Sequence, residues 1–92
     1  MNTIFAIYYN DNCYYIGYTN NLEKRLKDLT KKRCYENALL KNVSEKYLQF
    51  LLFFQKHNKN CKVIILEDGL TLSESIQLKN NYLKELKPLY NI

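Results

Sequence analysis

No stretch of the sequence is long and apolar enough to span a bilayer as a helix, which takes about 20 residues. The densest block, Tyr47 to Phe54, falls far short, so no membrane span is expected. The cysteines, Cys13, Cys34 and Cys61, are odd in number, widely spaced and lack a C-x-x-C pair, which argues against a disulfide framework and against zinc. They are expected to be free thiols. The one histidine, His57, stands near the end of a helix-like segment; a His-rich metal centre is excluded and no chemistry is assigned to it. The opening Met-Asn-Thr-Ile-Phe has neither a basic segment before its short apolar run nor a small-residue cleavage site. An intracellular, cytoplasmic protein is therefore expected. Internal repeats, linkers and low-complexity tracts are also missing.

What remains is an ordinary globular composition, with 47% hydrophobic and 25% charged residues in 92 positions, read as one domain over residues 1–92. A domain of this size hides only about 60% of its unfolded surface, so a small scaffold carrying one site is the expectation. Fourteen Lys and Arg against nine Asp and Glu give a net charge of +5, which fits a polyanionic partner without requiring one. The abundance of Asn, Lys and Tyr is also what AT-rich coding would give, so the lysine excess carries little weight.

Residues Thr3–Tyr9 and Cys13–Thr19 are rich in Ile, Tyr and Phe and flank the turn formers Asn10, Asp11 and Asn12, which reads as a β-hairpin. With Asp11 and Asn12 as its central pair, Tyr9 opposes Tyr14 and Tyr8 opposes Tyr15, placing Tyr8 and Tyr15 on one face. Asn20 with Glu23 three residues on resembles a capping arrangement, and Leu22, Leu26 and Leu29 recur at helical spacing, so a first helix begins near Asn21. Lys24, Lys27 and Lys31 project away from those leucines. Arg25 lies about 60° from Leu22, at the stripe's edge, and is the cation best placed to reach inward.

Ser44 is an N-cap candidate for a largely buried helix running to about His57. Val63, Ile64, Ile65 and Leu66 follow one another without alternation, predicting a third strand covered on both faces and ended by Asp68-Gly69. The last helix opens at Thr71 or Ser73 with Glu74 in its first turn and stops before Pro88. Its inward stripe is read as Leu72, Ile76, Leu83 and Leu86, with Lys79 in the middle. An inward lysine needs an acceptor, an anion or a route to solvent.

Ala6-Ile7-Tyr8, Tyr15-Ile16-Gly17, Tyr18-Thr19-Asn20 and Arg25, followed at the end by Lys87-Pro88-Leu89-Tyr90-Asn91, resemble the GIY-YIG nuclease superfamily, with Ala in place of the first Gly. The resemblance runs from about Phe5 to the end. It implies an α+β fold, a three-stranded antiparallel sheet flanked by helices, and metal-dependent endonuclease activity: hydrolysis of DNA phosphodiesters with Mg²⁺ or Mn²⁺. It further implies that Tyr8 helps deprotonate water, that Tyr15 stands beside it, that Arg25 holds the scissile phosphate and that Asn91 closes the site. Lys24, Lys27 and Lys31 would track DNA backbone.

Two positions depart from the family pattern. Counting back from Asn91, the family's metal-binding glutamate falls at Lys79, and a protonated lysine cannot coordinate a divalent cation. Glu74, about 140° around the helix, is a poor substitute. Leu29 occupies a place where many members carry His or Tyr. Without the ion, several kcal/mol of Lewis-acid assistance are lost, and Lys79 would instead offer its ammonium to a phosphate or to a tyrosine. Three readings stay open: a DNA-binding member with lost or inefficient cleavage, a catalytically inactive interaction protein serving as inhibitor or adaptor for a protein partner, and an active nuclease with an unrecognised metal ligand.

Overall fold

The computed structural model describes residues 1–91. Two eight-residue strands, β1 (Asn2–Tyr9) and β2 (Asn12–Thr19), form the hairpin. Its turn is Asn10-Asp11, one residue earlier than the sequence suggests. Both residues have left-handed backbones, φ 49° and 63°, the conformation of the type I′ turn whose twist suits a hairpin. Tyr9 then pairs with Asn12 and Tyr8 with Cys13. The pairing resumes at Ile7 with Tyr15, so Tyr14 is the extra residue of a β-bulge.

The bulge overturns the expected facing of the tyrosines; the earlier turn alone moves the pairing by two residues and keeps the faces. Tyr15 lies with Phe5 and Ile7 on one side of the sheet, and Tyr8 lies with Ile4, Ala6 and Ile16 on the other. A side-chain period of two means that the one extra residue, Tyr14, puts Cys13 and Tyr15 on opposite faces.

The chain continues through α1 (Leu22–Leu29), α2 (Lys32–Leu40), α3 (Glu45–His57), a short 3₁₀ turn (Asn58–Asn60), β3 (Lys62–Leu70) and α4 (Leu72–Leu86). The cap of α1 is Asn21, not Asn20: its side chain accepts from the Lys24 N–H at 3.1 Å. Helix α2 was not anticipated. Its segment carries three consecutive cations, Lys31 to Arg33, its start has no side-chain cap, and only Ala38 is buried, so its periodic signal is weak. Ser44 caps α3 as expected, and Thr71 with Glu74 forms a full capping box on α4. Lys87, in a left-handed conformation, ends α4 ahead of Pro88.

The sheet is antiparallel with order β2-β1-β3, giving an α+β fold with helices on both faces. On one side Phe5, Ile7 and Tyr15 pack with Leu29 of α1, Ala38 of α2, and Phe50, Leu51 and Phe54 of α3. On the other Ile4, Ala6 and Ile16 meet Leu78, Tyr82, Leu83 and Leu86 of α4. Leu72 and Ile76, expected to point inward, are exposed, and α4 lies mainly across β2 and β1, packing through Leu78, Tyr82, Leu83 and Leu86. The buried residue in that part of the helix is Ser75, whose hydroxyl donates to the Thr71 carbonyl at 2.8 Å. Strand β3 is likewise not covered on both faces: Val63, Ile64 and Ile65 are all exposed at the sheet edge.

The opposite edge is closed. The Leu89 and Tyr90 N–H groups donate to the carbonyls of Cys13 and Tyr14, and the Asn91 amide makes a two-way bond with Ile16, accepting from its N–H at 2.7 Å and donating to its carbonyl at 3.0 Å. The C-terminal segment satisfies the β2 groups that a partner strand would otherwise take. Gly17 is required here by close approach: an added Cβ would stand 2.8 Å from the Phe5 ring and 2.9 Å from that of Tyr15. No helix among the described residues is long and apolar enough to cross a membrane. All three cysteines are free thiols.

Candidate phosphate-binding site

Tyr15 projects from β2 into the aromatic layer of the core, stacked on Phe50 with ring centroids 4.1 Å apart and interplanar angle 9°. Helix α1 brings Arg25 to it from the edge of its apolar stripe, as its 60° offset from Leu22 suggests. Half-buried, the guanidinium donates through Nη2 to the Tyr47 hydroxyl at 2.9 Å, and its charge acts on Tyr15. The guanidinium is thus held between two phenols, Tyr15 from the sheet and Tyr47 from the start of α3.

Tyr47 was missed by sequence reasoning, which counted it only as core. A signal was present: Tyr47, Phe50, Leu51 and Phe54 form one stripe at helical spacing, and a tyrosine in such a stripe has a hydroxyl that must find a partner.

Lys79 arrives from α4, on the other face. Half-buried, its ammonium sits 5.5 Å from the centroid of the Tyr18 ring, a cation–π arrangement. Burial lowers its pKa, and the charge of Arg25 lowers it further. The two cations therefore feel one another. Neither the expected tyrosine hydrogen bond nor an acidic partner is what holds Lys79; a ring face is.

Burial raises the Tyr15 pKa above the ordinary phenol value, and Arg25 only partly offsets this. Tyr47 is raised for the same reason, with Arg25 again opposing. Both are phenols at neutral pH, so each can donate a hydrogen bond to an anion and neither is a ready base. Tyr8 does not join this group. It pairs with Cys13 on the α4 face, and burial followed by the Cys13 contact pushes its pKa up as well. On the Tyr15 face β1 presents Phe5 and Ile7, which carry no proton to give or take.

Asn91 stands at the site's border as the clamp on Ile16 described above. Of the basic residues expected to meet nucleic acid, Lys24 is exposed, while Lys27 pairs with Glu23 and Lys31 with Asp28, each at 3.4 Å. A groove of about 610 Å³ between α1, α2 and α3 is lined by Arg25, Lys31, Arg33, Lys41 and Tyr47, with Asp28 its only acid. Arg25 belongs to both the groove and the tyrosine cluster.

A family model described as the GIY-YIG catalytic domain matches residues 1–91. The chain belongs to that family, and its class is nuclease-like. Neither the curated proteins nor the solved structures contain a match.

Membership implies a divalent metal, and the residues present do not fit one. Arg25 bonds a phenol, the one acid of its groove, Asp28, is paired with Lys31, and hard divalent cations require oxygen anions or carbonyls. No cluster of three His, Cys, Asp or Glu side chains with ligand geometry occurs among the described residues.

Proposed function

We propose that this domain binds the phosphodiester backbone of DNA without cutting it. The observation that carries the reading is Arg25, held by the Tyr47 hydroxyl at the wall of a groove lined by Lys31, Arg33 and Lys41, with Lys79 on the other face near enough for the two charges to act on each other. A guanidinium at the wall of a groove whose cations outnumber its one acid is stabilised by an anion placed beside it. A phosphate supplies that charge, and a guanidinium can grip two of its oxygens at once. Tyr15 and Tyr47 orient the guanidinium and add O–H donors. The groove carries the electropositive surface onward through Lys31, Arg33 and Lys41, where flanking phosphates would lie, and exposed Lys24 extends it along α1.

Hydrolysis needs a base, an activated water and stabilisation of the leaving oxygen. Tyr15 is held as a phenol, and the position expected for a metal ligand carries a positive charge. The arrangement favours binding over turnover.

The test is a titration of fluorescently labelled duplex DNA in EDTA, run beside a plasmid-nicking assay with Mg²⁺ and with Mn²⁺. Expected are metal-independent, salt-sensitive binding, no nicking, and loss of binding in Arg25→Ala and Lys79→Ala. Robust metal-dependent nicking by the unmodified chain would overturn the reading. Absence of both binding and nicking would favour the inhibitor or adaptor reading instead.

A further inference from the structure

The two edges of the sheet are treated differently. The C-terminal segment covers β2, while β3 offers an open row of backbone N–H and C=O groups along its outer side. Natural edge strands are usually guarded by proline, a central charge, a bulge or a covering element. The bulges of β3 fall after Ile65, at Leu66 and between Glu67 and Leu70; over Val63, Ile64 and Ile65 it has no bulge, no proline and no charge, and the three residues are 37%, 43% and 55% exposed. Val63 and Ile65 stand opposite Ile7 and Phe5, on the face of α1 to α3; Ile64 stands opposite Ala6, on the α4 face. Apolar surface therefore flanks the open edge above and below.

The charges choose the occupant. Lys62 precedes the apolar centre and Glu67 and Asp68 follow it. None of the three has an ion-pair partner among the described residues. Antiparallel pairing of this strand with its own copy, about a two-fold axis near Ile64 and Ile65, sets Ile on Ile at the centre. It also brings each Lys62 alongside the other copy's acidic end. Parallel self-pairing would stack like charges at both ends and lose this match. We propose that two copies of the chain associate through β3 into a two-fold dimer with one continuous six-stranded antiparallel sheet.

The bond to Thr3 leaves Asp68 able to accept another donor, as does the bond from Tyr82 for Glu67, since a carboxylate has about four acceptor sites. Pairing therefore costs the monomer none of its own contacts.

Sedimentation equilibrium of the full chain should give twice the 11.1 kDa monomer mass. Ile65→Lys, at an exposed position, should raise the dissociation constant at least about tenfold with unchanged far-UV circular dichroism. Lys62→Glu, at the strand's exposed end, is the second variant and should weaken association by like-charge repulsion. A monomeric wild type overturns the proposal, as does a dimer indifferent to both substitutions. A chain that stays monomeric and captures an extended peptide on this edge would also overturn it, by naming another occupant.

Discussion

The β2 side and the β3 side of the sheet are built from similar residues to opposite ends. On the β2 side the C-terminal segment bonds Cys13, Tyr14 and Ile16, Gly17 lies under two rings with no space for a methyl, and Tyr15 is packed on Phe50. On the β3 side three β-branched residues in a row stand in solvent beside an unpaired edge. Apolar sequence alone did not decide which strand would be covered. Where α3, α4 and the C-terminal segment land decided it, and they land on β2 and β1. The crowded side holds the functional cluster in one geometry; the open side is free to meet another molecule.

That contrast gives an order of expected effects on stability, readable as shifts in urea midpoint at constant slope. Gly17→Ala should cost most, about 3 kcal/mol, because the new methyl must displace the Phe5 or Tyr15 ring. Asn91→Ala should cost about 2 kcal/mol by leaving both Ile16 backbone groups without their partner. Tyr47→Phe should cost about 1 kcal/mol through the lost bond to Arg25, and should weaken DNA binding as the guanidinium loses its orientation. Ile65→Thr, on the open side, should change monomer stability by less than about 0.5 kcal/mol. Equal losses at Gly17 and Ile65 would erase the distinction between the two sides.

Alkaline pH sharpens it further. Tyr15 and Tyr47 have folded pKa values raised above the ordinary 10.0, first by burial. The folded state then binds protons more tightly than the unfolded one, so this contribution is complete below pH 10 and is lost as pH rises through the folded values. Lys79 has the opposite sign. Its lowered folded value means that burying the charged form is unfavourable and that this penalty fades as pH rises toward 10.5. Stability of Lys79→Met should accordingly exceed that of the wild type at neutral pH, and the gap should close above pH 10. A gap that persists there would separate Lys79 from the charge argument.

Much of this was legible beforehand. The two motifs, the capping residues Ser44 and Thr71, the stop before Pro88 and the inward reach of Arg25 all follow from local chemistry, which acts over three or four residues. What failed depended on longer reach. The facing of Tyr8 and Tyr15 turned on a bulge at Tyr14, which changes neither composition nor spacing. Helix α2 is held by one buried alanine and neighbours distant in sequence, so its cationic start read as surface. Strand β3 carried the residue pattern of a covered strand because its inner edge and one partial face are covered; the sequence does not record where the helices end. Tyr47 was hidden among other aromatics of α3, and only its hydroxyl's need for a partner distinguished it.

The account turns on whether Arg25 and Lys79 together hold a phosphate with no ion between them. The direct measurement is the affinity of the wild type and of Lys79→Glu for one labelled DNA duplex, each in EDTA and in Mg²⁺. Tight wild-type binding that Mg²⁺ leaves unchanged, and its collapse in Lys79→Glu in EDTA, is the predicted result. Wild-type binding that appears only with Mg²⁺, or a Lys79→Glu protein that binds as well as the wild type in EDTA, would contradict it.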